Sequence, residues 1–382
     1  MSHKKVQQKP RSSAFAPRAL PLLRSAAAKS AFYVPWVSLC AAPLCDLLLG
    51  SNAHAVGAAL LLLSALFFGL PHGASDLQVL KRLLPRTRTK RAPFILASAI
   101  YLCLALAMLG LWAISPPIAL VLFLSVSAWH FGEGDVVWSR EAERLWPFEA
   151  IGRGLLIIMA PIYFHPVEAR SILLGLLDGA DVAHAGRTIA ALQSLAGPLL
   201  IIALGLTAAG NVASLRHKGL AIARGPFVVP SNPQALKWLE VALLLLAFWA
   251  TSPLLALAFY FVGVHSWRHI LRLQVRSGEF AGAWRAAWLF HRRWLAATAL
   301  TLAIFLPFLW LKGRGWLMEQ PVSAYLILLS ALALPHAALI AWAESDSRSQ
   351  DETDEQDRSP LSKKGRNANL LQTTGAKIVS RA

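Results

Sequence analysis

Charge is scarce in this chain: Asp, Glu, Lys and Arg make up 15% of its 382 residues, while 56% are hydrophobic. Such a balance excludes an ordinary water-soluble domain. Cysteine is nearly missing too. Cys40, Cys45 and Cys103 have neither the paired spacing of a metal site nor that of a secreted disulfide framework, so they are expected to act as small apolar residues. Acid is absent from residues 1 to 30, which carry seven Lys or Arg. No lysine stands in the middle of an apolar run, Lys237 lying near the end of one, which excludes a Schiff-base retinal protein. No His-Glu-x-x-His occurs either. Ser266, Trp267 and Arg268 separate His265 from His269, which excludes the general-base arrangement of an intramembrane zinc protease. One close histidine pair also falls short of the several clustered boxes of a membrane diiron desaturase.

What the chain has is a series of apolar runs near the ~20 residues that a spanning helix needs. They predict an all-α polytopic transmembrane bundle of about 8–10 spanning helices. The expected spans are 31–49, 55–75, 94–114, 117–131, 150–164, 187–209, 235–251, 253–270, 294–311 and 322–343. Residues 1–30 are expected to be a basic cytoplasmic tail, 31–343 the transmembrane helical domain, and 344–382 a disordered polar tail that opens with the acidic run Asp351 to Glu355.

Net charge is +17, but the cations lie in short loops and tails, where they orient helices instead of binding nucleic acid. Six of them fall between Lys81 and Arg91, which places that loop on the cytoplasmic side of an inner membrane. Loops 211–234 and 271–293 agree, and both tails then face the cytoplasm. Lys312 and Arg314 fall on the outer side as a minor contradiction.

In this topology His72, His130, His265, His269 and His336 lie on alternate spans, near one side of the membrane. An imidazole inside a span needs a hydrogen-bond, charge or metal partner. At four-residue spacing, His265 and His269 share one face of a helix. Neutral imidazoles suit iron, copper, nickel or zinc, and four rings from three helices could bind one ion. Asp76 and Glu133 follow His72 and His130 at helical spacing and are candidates to accept the second ring N–H. Gly73, Gly132 and Gly134 are expected to end those helices. His336 is the weaker candidate, with no acid on its own segment before Glu344. Trp129, Trp138, Trp146 and Trp267 sit where an interfacial aromatic belt is expected. From these residues alone a bis-histidine haem protein and a histidine-rich proton-coupled transporter both remain open.

Four segments narrow the choice. Gly69-Leu70-Pro71-His72-Gly73-Ala74-Ser75-Asp76, then His130-Phe131-Gly132 with Glu133 and Asp135, then His265-Ser266-Trp267-Arg268-His269, then Pro335-His336 resemble the Brp/Blh family of bacterial and archaeal membrane β-carotene 15,15'-dioxygenases. The resemblance covers about residues 55–343. It implies a non-haem Fe(2+) held by His72, His130, His265 and His269. Cleavage of the central double bond of β-carotene or a related carotenoid by O2, giving two retinal, is the implied reaction.

Overall fold

The computed structural model describes residues 19–64, 67–68, 75–84, 91–136, 145–216, 233–277 and 321–358, with scattered positions between 285 and 299. The helices are α1 (Ala19–Leu49), α2 (Ala53–Ser64), α3 (Asp76–Leu83), α4 (Arg91–Ile114), α5 (Pro116–Val136), α6 (Trp146–Phe164), α7 (Pro166–Leu176), α8 (Val182–Arg216), α9 (Pro233–Ala250), α10 (Pro253–Tyr260), α11 (Trp267–Ser277) and α12 (Pro321–Arg358). The chain is an all-α polytopic membrane bundle. Among the described residues, seven stretches are long and apolar enough to cross a bilayer: Lys29–Ser64, Ala92–Ile114, Pro116–Val136, Trp146–Phe164, Val182–Asn211, Pro253–Leu273 and Pro321–Ala343.

Expected span 31–49 falls within α1 and the first part of 55–75 within α2, the remainder of that span lying almost wholly outside the described residues; α1 and α2 form one run broken at Gly50, where φ is +53°. That left-handed turn inside helical sequence is open to glycine and costly for other residues. Expected span 235–251 is α9. Expected span 294–311 lies almost wholly outside the described residues. α7 is a short helix that hydropathy did not predict, and α12 continues to Arg358, into the stretch expected to be a polar tail.

The chain forms two compact units: residues 1–75 with 105–334, and residues 76–104 with 335–382. In the first, α6 packs most extensively on α8 and α5, α2 packs on α10, and α1 runs along α9, α10 and α11. Inside lipid, burial of apolar side chains gains little over contact with lipid tails, so close approach at small residues must hold helices together. The crossing of α5 and α6 is built in this way. Ala128 and Gly132 on α5 face Ala150 and Gly154 on α6, and a Cβ on Gly132 would overlap the Ala150 carbonyl oxygen, as one on Gly154 would overlap that of Ala128. This corrects the expectation that Gly132 and Gly134 end the helix. Packing outweighs glycine's low helix propensity, and α5 continues to Val136 with Glu133 and Asp135 buried on it.

Candidate active site

The segment from Pro253 to Leu273 is the innermost of the spans: 83% of its apolar window is buried inside the protein, against 22% for Val182–Asn211. It is not one regular helix. Between α10 and α11, Phe261–Ser266 form a π-helical turn in which the Trp267 amide reaches back five residues to the Val262 carbonyl. Such one-turn insertions concentrate at functional sites because they re-aim a side chain without ending the helix. The turn is held from outside by Ser38 of α1, whose hydroxyl donates to the Phe259 carbonyl at 2.9 Å. His265 is in this turn and His269 one turn beyond it on α11.

His265 and His130 come together. Their ring centroids are 4.8 Å apart, nearly edge to face, and both residues are buried. Phe131 contacts His265 at the same centroid distance of 4.8 Å, and Phe261 stacks on it at 5.9 Å. His269 is buried as well. His72 lies outside the described residues. Among the described residues no three His, Cys, Asp or Glu side chains form a set able to hold a metal. The donor chemistry nevertheless fits a first-row metal: adjacent buried imidazoles, an apolar surround and no thiolate.

Asp76 and His336 meet in the second unit. The Asp76 carboxylate can only accept, so His336 Nδ1 carries the proton and donates at 2.7 Å, while the Tyr101 hydroxyl donates to the other oxygen at 2.8 Å. His336 therefore does have an acidic partner, on another helix. Glu133 is buried on α5. His165 contacts the Phe248 carbonyl through Nε2 at 2.9 Å, a structural role.

Beside the imidazole pair is an apolar cavity with about 880 Å³ of empty space counting its open mouth. Helices α2, α5, α6, α7, α10 and α12 line it, among them Phe123, Ile158, Leu173, Leu257 and Leu329. Phe131 and Phe261 belong to both structures: they line the cavity and touch the His265 ring. A few hydroxyls, of Ser127, Tyr260 and Tyr325, interrupt the hydrocarbon surface.

On the other side of Tyr260 is a feature that hydropathy did not predict, a buried cluster of ion pairs. Glu240 accepts from Arg153 Nη1 at 2.6 Å and from Arg268 Nη1 at 2.9 Å, with Arg268 Nη2 on its second oxygen. Arg268 Nη1 also stands 3.2 Å from Asp135, and Arg268 Nε donates to the Ala31 carbonyl at 2.9 Å. Lys237 pairs with Glu149 at 3.2 Å, and Arg153 Nε stands 3.5 Å from the same carboxylate. Three cations thus meet three anions, all at most 4% exposed. Stretch 132–149 falls between the expected spans 117–131 and 150–164, yet Asp135 and Glu149 are buried. A signal was present: Arg153, Lys237, Glu240 and Arg268 all fall within predicted spans, where a charge requires a partner. Trp146 and Trp267 are also buried instead of forming a belt, the latter's indole donating to Ser30 at 3.2 Å.

Comparison with known proteins gives this arrangement its context. The family model described as beta-carotene 15,15'-dioxygenase matches residues 63–344. A Halobacterium salinarum protein named probable beta-carotene 15,15'-dioxygenase Blh is 25% identical over 336 residues, 84% of this chain and 94% of its own length. A beta-carotene 15,15'-dioxygenase of an uncultured marine bacterium is 26% identical over 283 residues, 72% of this chain and 89% of that protein. No solved structure matches. The matched stretch holds every histidine of the proposed set and most of the cavity wall, and the chain belongs to the beta-carotene 15,15'-dioxygenase family.

Proposed function

We propose that this chain cleaves β-carotene, or a closely related carotenoid, at its central double bond. The observation that carries the proposal is the shared wall: Phe131 and Phe261 line an apolar cavity and contact His265, so a hydrocarbon in the cavity is separated from that imidazole by a single aromatic ring. A polyene dissolved in lipid has no charge for the protein to recognise, and a greasy wall with few polar groups is what such a ligand requires.

The proposed metal is Fe(2+), with His72, His130, His265 and His269 as ligands and Glu133 as a supporting group. Iron, when bound, supplies the activation of O2. The protein's own part is placement. Aromatic and branched side chains exclude water and fix the polyene along the cavity, and the position of His265 behind Phe131 and Phe261 selects the bond that reacts. One C=C bond breaks, two C=O bonds form, and each retinal carries one oxygen atom of O2. We place the protein in the cytoplasmic membrane with both tails inside, on the strength of its cation-rich loops.

Production of this chain in cells that accumulate β-carotene tests the reading. The cells are expected to bleach and to yield retinal only with oxygen, and the His265→Ala variant is expected to keep its colour. A transporter or a bis-histidine haem protein would leave the pigment intact.

A further inference from the structure

The ion-pair cluster meets the imidazole pair at one residue. Asp135 is on α5, five residues after His130, and its two carboxylate oxygens reach both ends of the π turn that carries His265. Tyr260, immediately before the turn, donates its hydroxyl to Oδ2 at 3.2 Å. Arg268, two residues after the turn, stands 3.2 Å from Oδ1. One turn farther along α11, Arg272 Nη2 donates to the carbonyl of Gly134, the residue before Asp135, at 2.9 Å. Gly134 also faces the His265 ring. A Cβ there would stand 3.5 Å from His265 Cε1 and Nδ1 and 3.7 Å from Arg272 Nη2. Arg268 cannot follow Asp135 if it moves, because Glu240 and the Ala31 carbonyl hold the same guanidinium. Phe131 completes the bracket, its ring lying 5.6 Å from Tyr260 and 4.8 Å from His265.

We propose that Asp135 is a positioning residue for the metal site: by holding Tyr260 and Arg268 it fixes the π turn against α5 and sets the separation of His265 from His130. The proposal rests on the metal-site reading above. A π turn is a weakly constrained helix segment, since its hydrogen bonds are fewer and its radius larger than those of the flanking α-helix. Without a tie at each end it could relax to regular helix and turn His265 away from its neighbour. A charged anchor already locked by other residues is a stiffer tie than any apolar contact.

The test measures metal affinity, with Co(II) as a spectroscopic probe in the full-length, detergent-solubilised protein. Asp135→Asn keeps the volume and removes the charge, and Tyr260→Phe removes one hydroxyl and leaves the ion pairs intact. Loss of an outer partner of a metal ligand typically weakens metal binding 10–100-fold, and roughly that loss is expected for Asp135→Asn, with a smaller loss for Tyr260→Phe and an altered ligand-field spectrum in both. A merely structural role would lower the melting temperature but leave the affinity and spectrum of the folded protein unchanged. Should Asp135→Asn fail to fold, Tyr260→Phe decides alone. Parental affinity and spectrum in the folded variants overturn the proposal while the metal reading stands; a parent that binds no Co(II) or Fe(II) overturns both.

Discussion

Glu240 holds two arginines at once, and its replacement by Gln is the most informative perturbation of the fold. The substitution keeps shape and one carbonyl acceptor but changes a balanced cluster of three cations and three anions into one with a net positive charge inside the membrane. Arg153 and Arg268 would each lose a charge-assisted bond, at 2.6 and 2.9 Å, and the remaining carboxylates, Asp135 and Glu149, are already engaged. Removing one partner of a buried ion pair costs about 3–5 kcal/mol. At about 1.4 kcal/mol per tenfold, that raises the unfolded-to-folded ratio roughly 150- to 5,000-fold. The assay is reversible denaturation in mixed micelles, comparing Glu240→Gln with a charge-balanced Glu240→Gln/Arg153→Met pair. The single variant is expected to lose this stability and the double variant to regain much of it. A loss under about 1 kcal/mol for the single variant, the size of a solvent-exposed pair, would refute the reasoning.

Other consequences are as direct. Leu257→Trp fills the cavity from α10 and is expected to reduce β-carotene turnover at least ~10-fold while iron content stays at the parental level, because overpacking costs only about 1–3 kcal/mol and leaves the imidazoles in place; equal turnover would remove the cavity from the reaction. Gly132→Val is expected to abolish folded protein in membranes, since its side chain would overlap the Ala150 carbonyl, whereas Gly186→Val on α8, which has open space around it, is expected to be tolerated. Asp181 accepts from the His184 and Ala183 amides at 3.0 and 3.1 Å and from the His184 ring, and these bonds hold its carboxyl below the ordinary value of 3.8. A lowered folded-state pKa gives stability present above 3.8 and lost as pH falls through the lowered value, so the melting temperatures of Asp181→Ala and parent protein, separated at neutral pH, are expected to converge in acid.

Much of this was legible in the sequence because hydropathy is a local property. The apolar runs at 94–114, 117–131, 150–164, 187–209 and 322–343 became helices at nearly those positions. His130 and His265, chosen as imidazoles within apolar segments, are in ring contact. What the sequence concealed depends on contacts between distant segments. The π turn differs from an α-helix by one residue per turn, which no composition of Phe261–Ser266 encodes. Asp135 and Glu149 flank a stretch that looks like a loop, and their partners Arg268 and Lys237 are more than eighty residues away. Gly132 reads as a helix stop until Ala150 is seen against it. His336 lacks an acid nearby in sequence, yet Asp76, 260 residues distant, supplies one.

The central claim is that an apolar cavity beside a histidine-held iron lets this chain cut a carotenoid at its middle. The direct measurement is chromatography of the products formed by purified, Fe(2+)-loaded protein given β-carotene and O2 in micelles. Retinal as the single aldehyde product, with two formed for each β-carotene and O2 consumed, is the expected result, lost in the His130→Ala and His265→Ala variants. Intact β-carotene, or two aldehydes of unequal length, from folded and iron-loaded protein would contradict it.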